Sequence, residues 1–278
     1  MNDRQNIIIV TALPFEGASV RRYLNLSPIE DTLPYFSGPM HHLVVSGVGK
    51  ARCAAATGAI CSRFSPEQIG VVVNIGVAGG ISESTPIGSS WLIHQICDAA
   101  TERRFYPDML AGHHLQETLV TTFDKPVTTK SDAPTKGLVD MEASAFFEAA
   151  SMFVGPEKIV CAKIVSDILL SKNRINTEKM STAITTALPD ILTYTENVCK
   201  CNAQTPMVTL TETHRKYMAN LTELLQLTRT QQAQLTQSVI RFVQKNPTAA
   251  LPEFIPSRVL TARERNQHFV QFQKELLG

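Results

Sequence analysis

Val71-Val72-Val73-Asn74-Ile75-Gly76-Val77-Ala78-Gly79-Gly80 is an apolar run that ends in a polar residue and then in glycines. Two other runs end in a similar way. Ile7–Val10 leads into Thr11-Ala12-Leu13-Pro14-Phe15-Glu16, and Ile159–Val165 leads into Ser166-Asp167. Short runs without polar alternation are the pattern of strands covered on both faces, as in parallel sheets. Open parallel sheets bind ligands in the crevice beyond the carboxyl ends of their strands. Glu16, a Gly76–Gly80 loop and Asp167 are therefore expected to meet in space.

The same reading extends outward along the chain. Glu16–Leu24 reads as a helix with Pro14 near its start, and His42–Val45 as a second strand. Ser46-Gly47-Val48-Gly49 turns that strand into an alanine-rich helix, Ala51–Phe64, which Ser65-Pro66 breaks. Trp91–Ile96 follows as a strand and Leu138–Asp140 as a short extended piece. Met141–Met152 is strongly helical with Asp140 as its N-cap, and Thr177–Val198 is a helix interrupted near Pro189. Apolar strands alternating with helices argue for an α/β fold, a mostly parallel mixed sheet covered by helices. Strand signals vanish after Cys201. Tyr217, Leu221, Leu224 and Leu225, then Leu235, Val239, Ile240 and Val243, fall at helical spacing, and a last helix spans Thr261–Leu277. The expected domains are residues 1–201, α/β, and 202–278, an all-helical C-terminal extension that reads as a lid or oligomer contact, with a separate binding module as the alternative.

Lys and Arg number 26 against 25 Asp and Glu, so no strong field points to nucleic acid or an anionic membrane. No apolar stretch approaches the roughly 20 residues of a membrane span. The start, Met1 to Asn6, lacks the features of a signal peptide. A cytoplasmic protein is expected, with its six cysteines reduced and mostly buried. Cys199 and Cys201 form a C-x-C pair without a second pair to complete a zinc tetrahedron, so no metal is expected. His41-His42 and His113-His114 are neighbours that point to opposite faces, and solvated or edge positions suit them.

Each chemical signal is weak when taken alone. The Gly76–Gly80 segment suits close approach of a ligand to backbone N–H groups, or simple chain reversal. Glu142 stands in the first turn of a helix, where the dipole favours any acid. Asp167 closes an apolar strand, where burial would raise its pKa and make it a proton donor.

Taken together, Ile7–Glu16, Val44–Ala56, Val71–Gly80 and Val139–Asp167 resemble the nucleoside phosphorylase superfamily. The resemblance is greatest to the 5'-methylthioadenosine/S-adenosylhomocysteine nucleosidase-like purine nucleosidases. Met141-Glu142-Ala143-x-Ala145 followed by Ser166-Asp167 is its most specific part. It covers residues 5–200 and none of the tail. It implies a nucleoside phosphorylase-like fold and hydrolysis of the N-ribosyl bond of a purine nucleoside or thionucleoside, without any cofactor. By that resemblance Asp167, oriented by Ser166, protonates the purine at N7, and Glu16 activates water. Glu142 bonds the ribose hydroxyls with Met141 packed nearby, while Val77, Ala78 and Gly79 line the substrate. It also implies a homo-oligomer whose partner is a small-molecule nucleoside.

Two further readings stay open. One is a phosphorylase of the same fold, for which Arg21, Arg22, Arg52, Arg103 or Arg104 would hold phosphate; surface solvation suits these arginines better. The other is a catalytically weak nucleoside-binding or regulatory protein. It is motivated by Val77 where the family carries Ser or Thr, and by a shortened segment over Val127–Val139. Lys163 replaces an Arg frequent in relatives, and Phe105, Tyr106 and Phe123 are candidates for an aromatic clamp on the base.

Overall fold

The computed structural model describes residues 5–81, 85–127, 133–169, 176–204, 210–246, 249–252 and 261–277. Residues 128–132 of the segment read above as shortened, Val127–Val139, lie outside them. The chain divides into two compact units, Met1–Thr205 and Pro206–Gly278.

The first unit runs β1 (Asn6–Thr11), α1 (Pro14–Leu24), β2 (Ser27–Ile29), β3 (Tyr35–Ser37), β4 (His41–Val45), α2 (Lys50–Cys61) and β5 (Ile69–Gly80). It continues with β6 (Ser90–Asp98), β7 (Arg104–Phe105), β8 (Gln116–Thr122), β9 (Leu138–Asp140), α3 (Ala143–Ala150), a 3-10 turn at Pro156–Lys158, β10 (Ile159–Ile168) and α4 (Thr177–Gln204). The long pairings are parallel: β4 with β1, β1 with β5, β5 with β10, and β6 with β8. The antiparallel ones span two or three residue pairs each.

Alternation along β1 sorts the core into two layers. Ile8 and Val10 pack with Cys53, Ala56 and Ile60 of α2 and Phe146 and Ala150 of α3. Ile7 and Ile9 pack on the opposite face with Val20 of α1 and Ile184, Leu188 and Ile191 of α4. Each fully buried Ile or Val side chain contributes roughly 1.5–3 kcal/mol, so both faces must be covered for the strands to be stable.

β5 bonds β10 along one side, and at Gly79 and Gly80 it bonds β9 on the other. β9 bonds β8, β8 bonds β6, and β6 returns to β10. These five strands close into a ring, which needs a strand long enough to serve both neighbours. The Gly76–Gly80 segment is therefore the second half of a 12-residue strand and not a loop. Glycine weakens an isolated strand, but here hydrogen bonds on both edges hold it. Closeness also demands it: a Cβ on Gly79 would lie 2.8 Å from Leu169 Cδ2.

Other boundaries moved for local reasons. Helix α3 begins at Ala143, and Asp140 is not its N-cap, although the Ala143 N–H donates to Asp140 Oδ2 at 2.8 Å. Helix α4 passes through Pro189 without a break. His42 is neither solvated nor at an edge. β3 covers its strand, the residue is 9% exposed, and its ring is bonded to Tyr35 at 2.8 Å, Ser37 at 3.1 Å and Asn6 at 3.1 Å. The strand pair β2–β3 escaped the sequence because three-residue strands carry no period. On α4, Cys199 is buried and Cys201 exposed. Burial pushes the thiols of Cys53, Cys61 and Cys161 up to about 12.

The second unit contains α5 (Glu212–Leu225), α6 (Arg229–Lys245) and α7 (Ala262–Leu277). Thr211 and Thr228 cap the first two by accepting from the N–H groups of His214 and Gln231. Leu221, Leu225, Leu235, Val239, Phe269, Phe272 and Leu276 form its own core. Among the described residues no helix is long and apolar enough to cross a membrane.

Candidate active site

The end of β5 is the reference line for the site. Across one edge Lys163 pairs with Gly76, Ile164 with Val77, Val165 with Ala78 and Asp167 with Gly79. Across the other edge Val139 pairs with Gly79, three residues before Glu142. Glu16 reaches the same stretch from the start of α1 and accepts a hydrogen bond from the Val77 N–H at 2.8 Å. The register therefore brings Glu16, Glu142 and Asp167 to the ends of neighbouring strands.

Glu16 is 1% exposed. It is the third residue of α1, so its carboxylate turns back onto the N–H groups of Ala12 at 2.9 Å and Leu13 at 2.8 Å, which the helix leaves unpaired. Gly76 makes room for it, since a Cβ there would lie 3.3 Å from Glu16 Oε1. Burial raises the Glu16 pKa, against the lowering by the backbone bonds from Leu13 and Val77 and by the charge of Lys163. A carboxylate has about four acceptor sites. Three are taken, which leaves one for a water or hydroxyl.

Glu142 is buried and accepts from the Gly49 N–H at 2.8 Å and from the Met141 N–H at 3.3 Å. Burial raises its pKa; the charge of Lys163 works against this, and Asp140 adds to it. Gly49 has φ +100°, a conformation that favours glycine and turns its N–H toward Glu142. Met141 is half-buried at the site.

Asp167 differs from the expected unpaired, buried carboxylate. It is half-buried, and the Ser166 hydroxyl donates to its Oδ1 at 2.5 Å. That hydroxyl also lies 3.2 Å from the Ala78 carbonyl, which ties the pair to β5. A shift of register in β10 between Val165 and Asp167 places both side chains at the strand end.

The sequence reading treated Lys163 only as a replacement and missed its role. Its ammonium lies 2.8 Å from Asp140 Oδ2, and the two side chains are 1% and 0% exposed. Burial opposes the Lys163 charge, and the carboxylates of Asp140 and Glu142 outweigh it, so the pKa is raised. Asp140 also accepts from the Thr122 hydroxyl at 2.7 Å. A signal was present: one cation inside Ile159–Val165 must find a buried partner. Lys163→Met strands the Asp140 charge and is expected to cost about 3–5 kcal/mol in urea unfolding. Adding Asp140→Asn should recover most of that loss; an unchanged midpoint in the single variant contradicts the pairing.

The other candidates spread out. Phe105 packs on Phe147 with ring centroids 5.3 Å apart, Tyr106 is exposed, and Phe123 is half-buried beside Asp140, whose carbonyl accepts its N–H at 2.9 Å. Arg103 pairs with Glu148, Arg21 stacks over Phe36, and Arg22, Arg52 and Arg104 are exposed. A cleft of about 710 Å³ lies between α2 and α3, lined by Ala54, Gly58, Phe105, Ala149 and Met152 and away from the three carboxylates.

The chain also has relatives among known proteins. A sequence model of the phosphorylase superfamily matches residues 6–136. Over those residues the chain is similar to the nucleoside phosphorylase superfamily. Within it the chain is similar to the 5'-methylthioadenosine/S-adenosylhomocysteine nucleosidase of Anoxybacillus flavithermus, with 26% identity over 215 residues, 63% of this chain and 90% of that protein. The fold is similar to the Streptococcus pneumoniae MTA/SAH nucleosidase in complex with 8-aminoadenine, with TM-score 0.58, 21% identity, and 69% and 100% of the two chains covered. It is likewise similar to the Arabidopsis thaliana 5'-methylthioadenosine nucleosidase, with TM-score 0.56, 17% identity, and 72% and 96% covered. These relatives are matched almost end to end, while more than a quarter of this chain has no counterpart in them.

Proposed function

We propose that this protein hydrolyses the N-ribosyl bond of a purine nucleoside or thionucleoside, with 5'-methylthioadenosine and S-adenosylhomocysteine as the first substrates to test. The observation that carries this reading is Glu16 held at Val77, on the strand whose next residues pair with Asp167 and Val139. Water attacks the anomeric carbon, the bond to the purine nitrogen breaks, and its electron pair leaves with the base. Asp167 supplies a proton to N7 from the oxygen not bonded to Ser166. Glu16 takes the proton of the attacking water through its remaining acceptor site. Glu142 bonds the ribose hydroxyls and stabilises the oxocarbenium-like sugar, with Met141 against it. Val77, Ala78 and Gly79 lie along the substrate. One group must be protonated while the other is ionised, and the three backbone N–H donors and the Lys163 charge favour the ionised form of Glu16 against its burial.

The Glu16 carboxylate disfavours phosphate as nucleophile, because two anions in a poorly solvated site repel by several kcal/mol. The test is release of free base in phosphate-free buffer. Turnover that requires phosphate and yields ribose 1-phosphate would replace hydrolysis by phosphorolysis. Ligand-induced thermal stabilisation without turnover on a broad nucleoside panel would replace both by a binding role.

We place the protein in the cytoplasm as a homo-oligomer. The α2–α3 cleft supports the second point: Met152, 83% exposed, stands beside Ala54, Gly58, Ala145 and Ala149, an apolar surface that a second copy would cover. Sedimentation should show an oligomer for the wild type and dissociation in Met152→Glu.

A further inference from the structure

Gly49 and Lys50 open α2, where the sequence showed only a turn from a strand into a helix. In the structure they belong to a closed set of bonds around Glu142. The Gly49 N–H donates to Glu142 Oε1 at 2.8 Å. The next residue, Lys50, places its ammonium 2.7 Å from Asp98 Oδ2 and 3.1 Å from Asp124 Oδ1. Asp98 ends β6 and accepts through Oδ1 from the N–H groups of Ala100 and Thr101 and from the Thr101 hydroxyl, at 3.0–3.1 Å. Its Oδ2 also accepts from the Ser144 hydroxyl at 2.8 Å. Ser144 follows Glu142 by two residues, and its N–H donates to Thr122 at 3.0 Å. Glu142 is thus gripped from α2 and from α3, and both grips end on Asp98.

We propose that Lys50 and Asp98 form a clamp that positions the Glu142 carboxylate for the ribose hydroxyls. The proposal rests on the reading of Glu142 as ribose anchor. Lys50 does not serve as a substrate ligand, because two carboxylates already engage its ammonium. The clamp works by geometry: it fixes the first turn of α2, and with it the direction of the Gly49 N–H. Burial raises the pKa of Asp98, but Lys50, Ser144 and Thr101 overcome this and hold it well below the usual carboxylate range, so the clamp keeps its charges throughout the working pH range. Misplacing a positioning group by about an ångström is enough to lower turnover by about 10²-fold.

The test is kcat and KM for base release by Lys50→Met, Lys50→Arg, Asp98→Asn, Glu142→Ala and the double variant Lys50→Met/Glu142→Ala, with thermal unfolding followed in parallel. Lys50→Met and Asp98→Asn should each lower kcat/KM about tenfold to a hundredfold, as for loss of a charge-assisted hydrogen bond. Lys50→Arg should restore most of the activity. In the Glu142→Ala background the loss from Lys50→Met should shrink to within about twofold, since no carboxylate is left to position. The same fold loss in both backgrounds overturns the clamp, as does wild-type kcat/KM in Lys50→Met or, should that variant not fold, in Asp98→Asn. Wild-type activity in Glu142→Ala would instead remove the anchor reading itself. A crippled Glu142→Ala with unaffected clamp variants removes only the clamp.

Discussion

Glu16→Gln is expected to lower kcat for base release by about 10²–10⁴-fold, the range for loss of a general base. Gln keeps the length and one acceptor oxygen but cannot take a proton from water. Its amide NH₂ must face a backbone donor, because Ala12, Leu13 and Val77 all donate to the present carboxylate. That mismatch costs about 1–3 kcal/mol of stability, so activity is to be compared at a temperature where circular dichroism shows both proteins folded. Turnover near the wild-type value in a folded Glu16→Gln protein removes water activation by this residue. The wild type carries a second readout. Burial raises the Glu16 pKa above the ordinary 4.5, and the base works only when ionised. As pH rises, kcat/KM should therefore increase along a limb centred above pH 4.5. A limb centred below that value would mean that another group accepts the proton.

Asp167→Asn should cost a comparable ~10²–10⁴-fold, for the opposite reason. Asn cannot deliver a proton to N7, so the base would have to leave as an anion. The Ser166 hydroxyl, now bonded to Asp167 Oδ1, can bond the Asn oxygen in the same way, and the half-buried position tolerates the amide. Folding should be nearly unchanged. A nitrophenyl riboside, whose leaving group departs without a proton, should separate the roles. Asp167→Asn should hardly affect its hydrolysis, whereas Glu16→Gln should impair it as much as that of a purine nucleoside. Equal losses of Asp167→Asn on both substrates would deny Asp167 the role of acid.

Legibility in the sequence followed the physics of each element. The fully apolar strands β1, β5 and β10 were readable because burial on both faces leaves them no polar alternative. The strands β2, β3, β7 and β8 were not, because short or half-polar segments are ordered by their neighbours and carry little signal of their own. Gly76–Gly80 was read as a loop because glycine is a poor strand former, and only the presence of strands on both sides reverses that preference. Glu16, Glu142 and Asp167 stood out as acids at the ends of apolar runs. Lys50 and Asp98 did not, and Lys163 signalled only that some buried partner must exist, since each draws its meaning from a partner on another element.

Local composition alone determined the alternation of strands and helices, the change to a helical tail, and the identity of the acids available for chemistry. Those properties depend on side-chain polarity and period, which are written residue by residue. Closure of the strand ring, the seat of Glu16 on the Val77 N–H, and the buried Lys163–Asp140 pair were decided only by the tertiary structure. They join residues tens of positions apart, and no window of the chain encodes such a contact. The energy that holds them comes from hydrogen bonds and charges that become strong only once packing has excluded water.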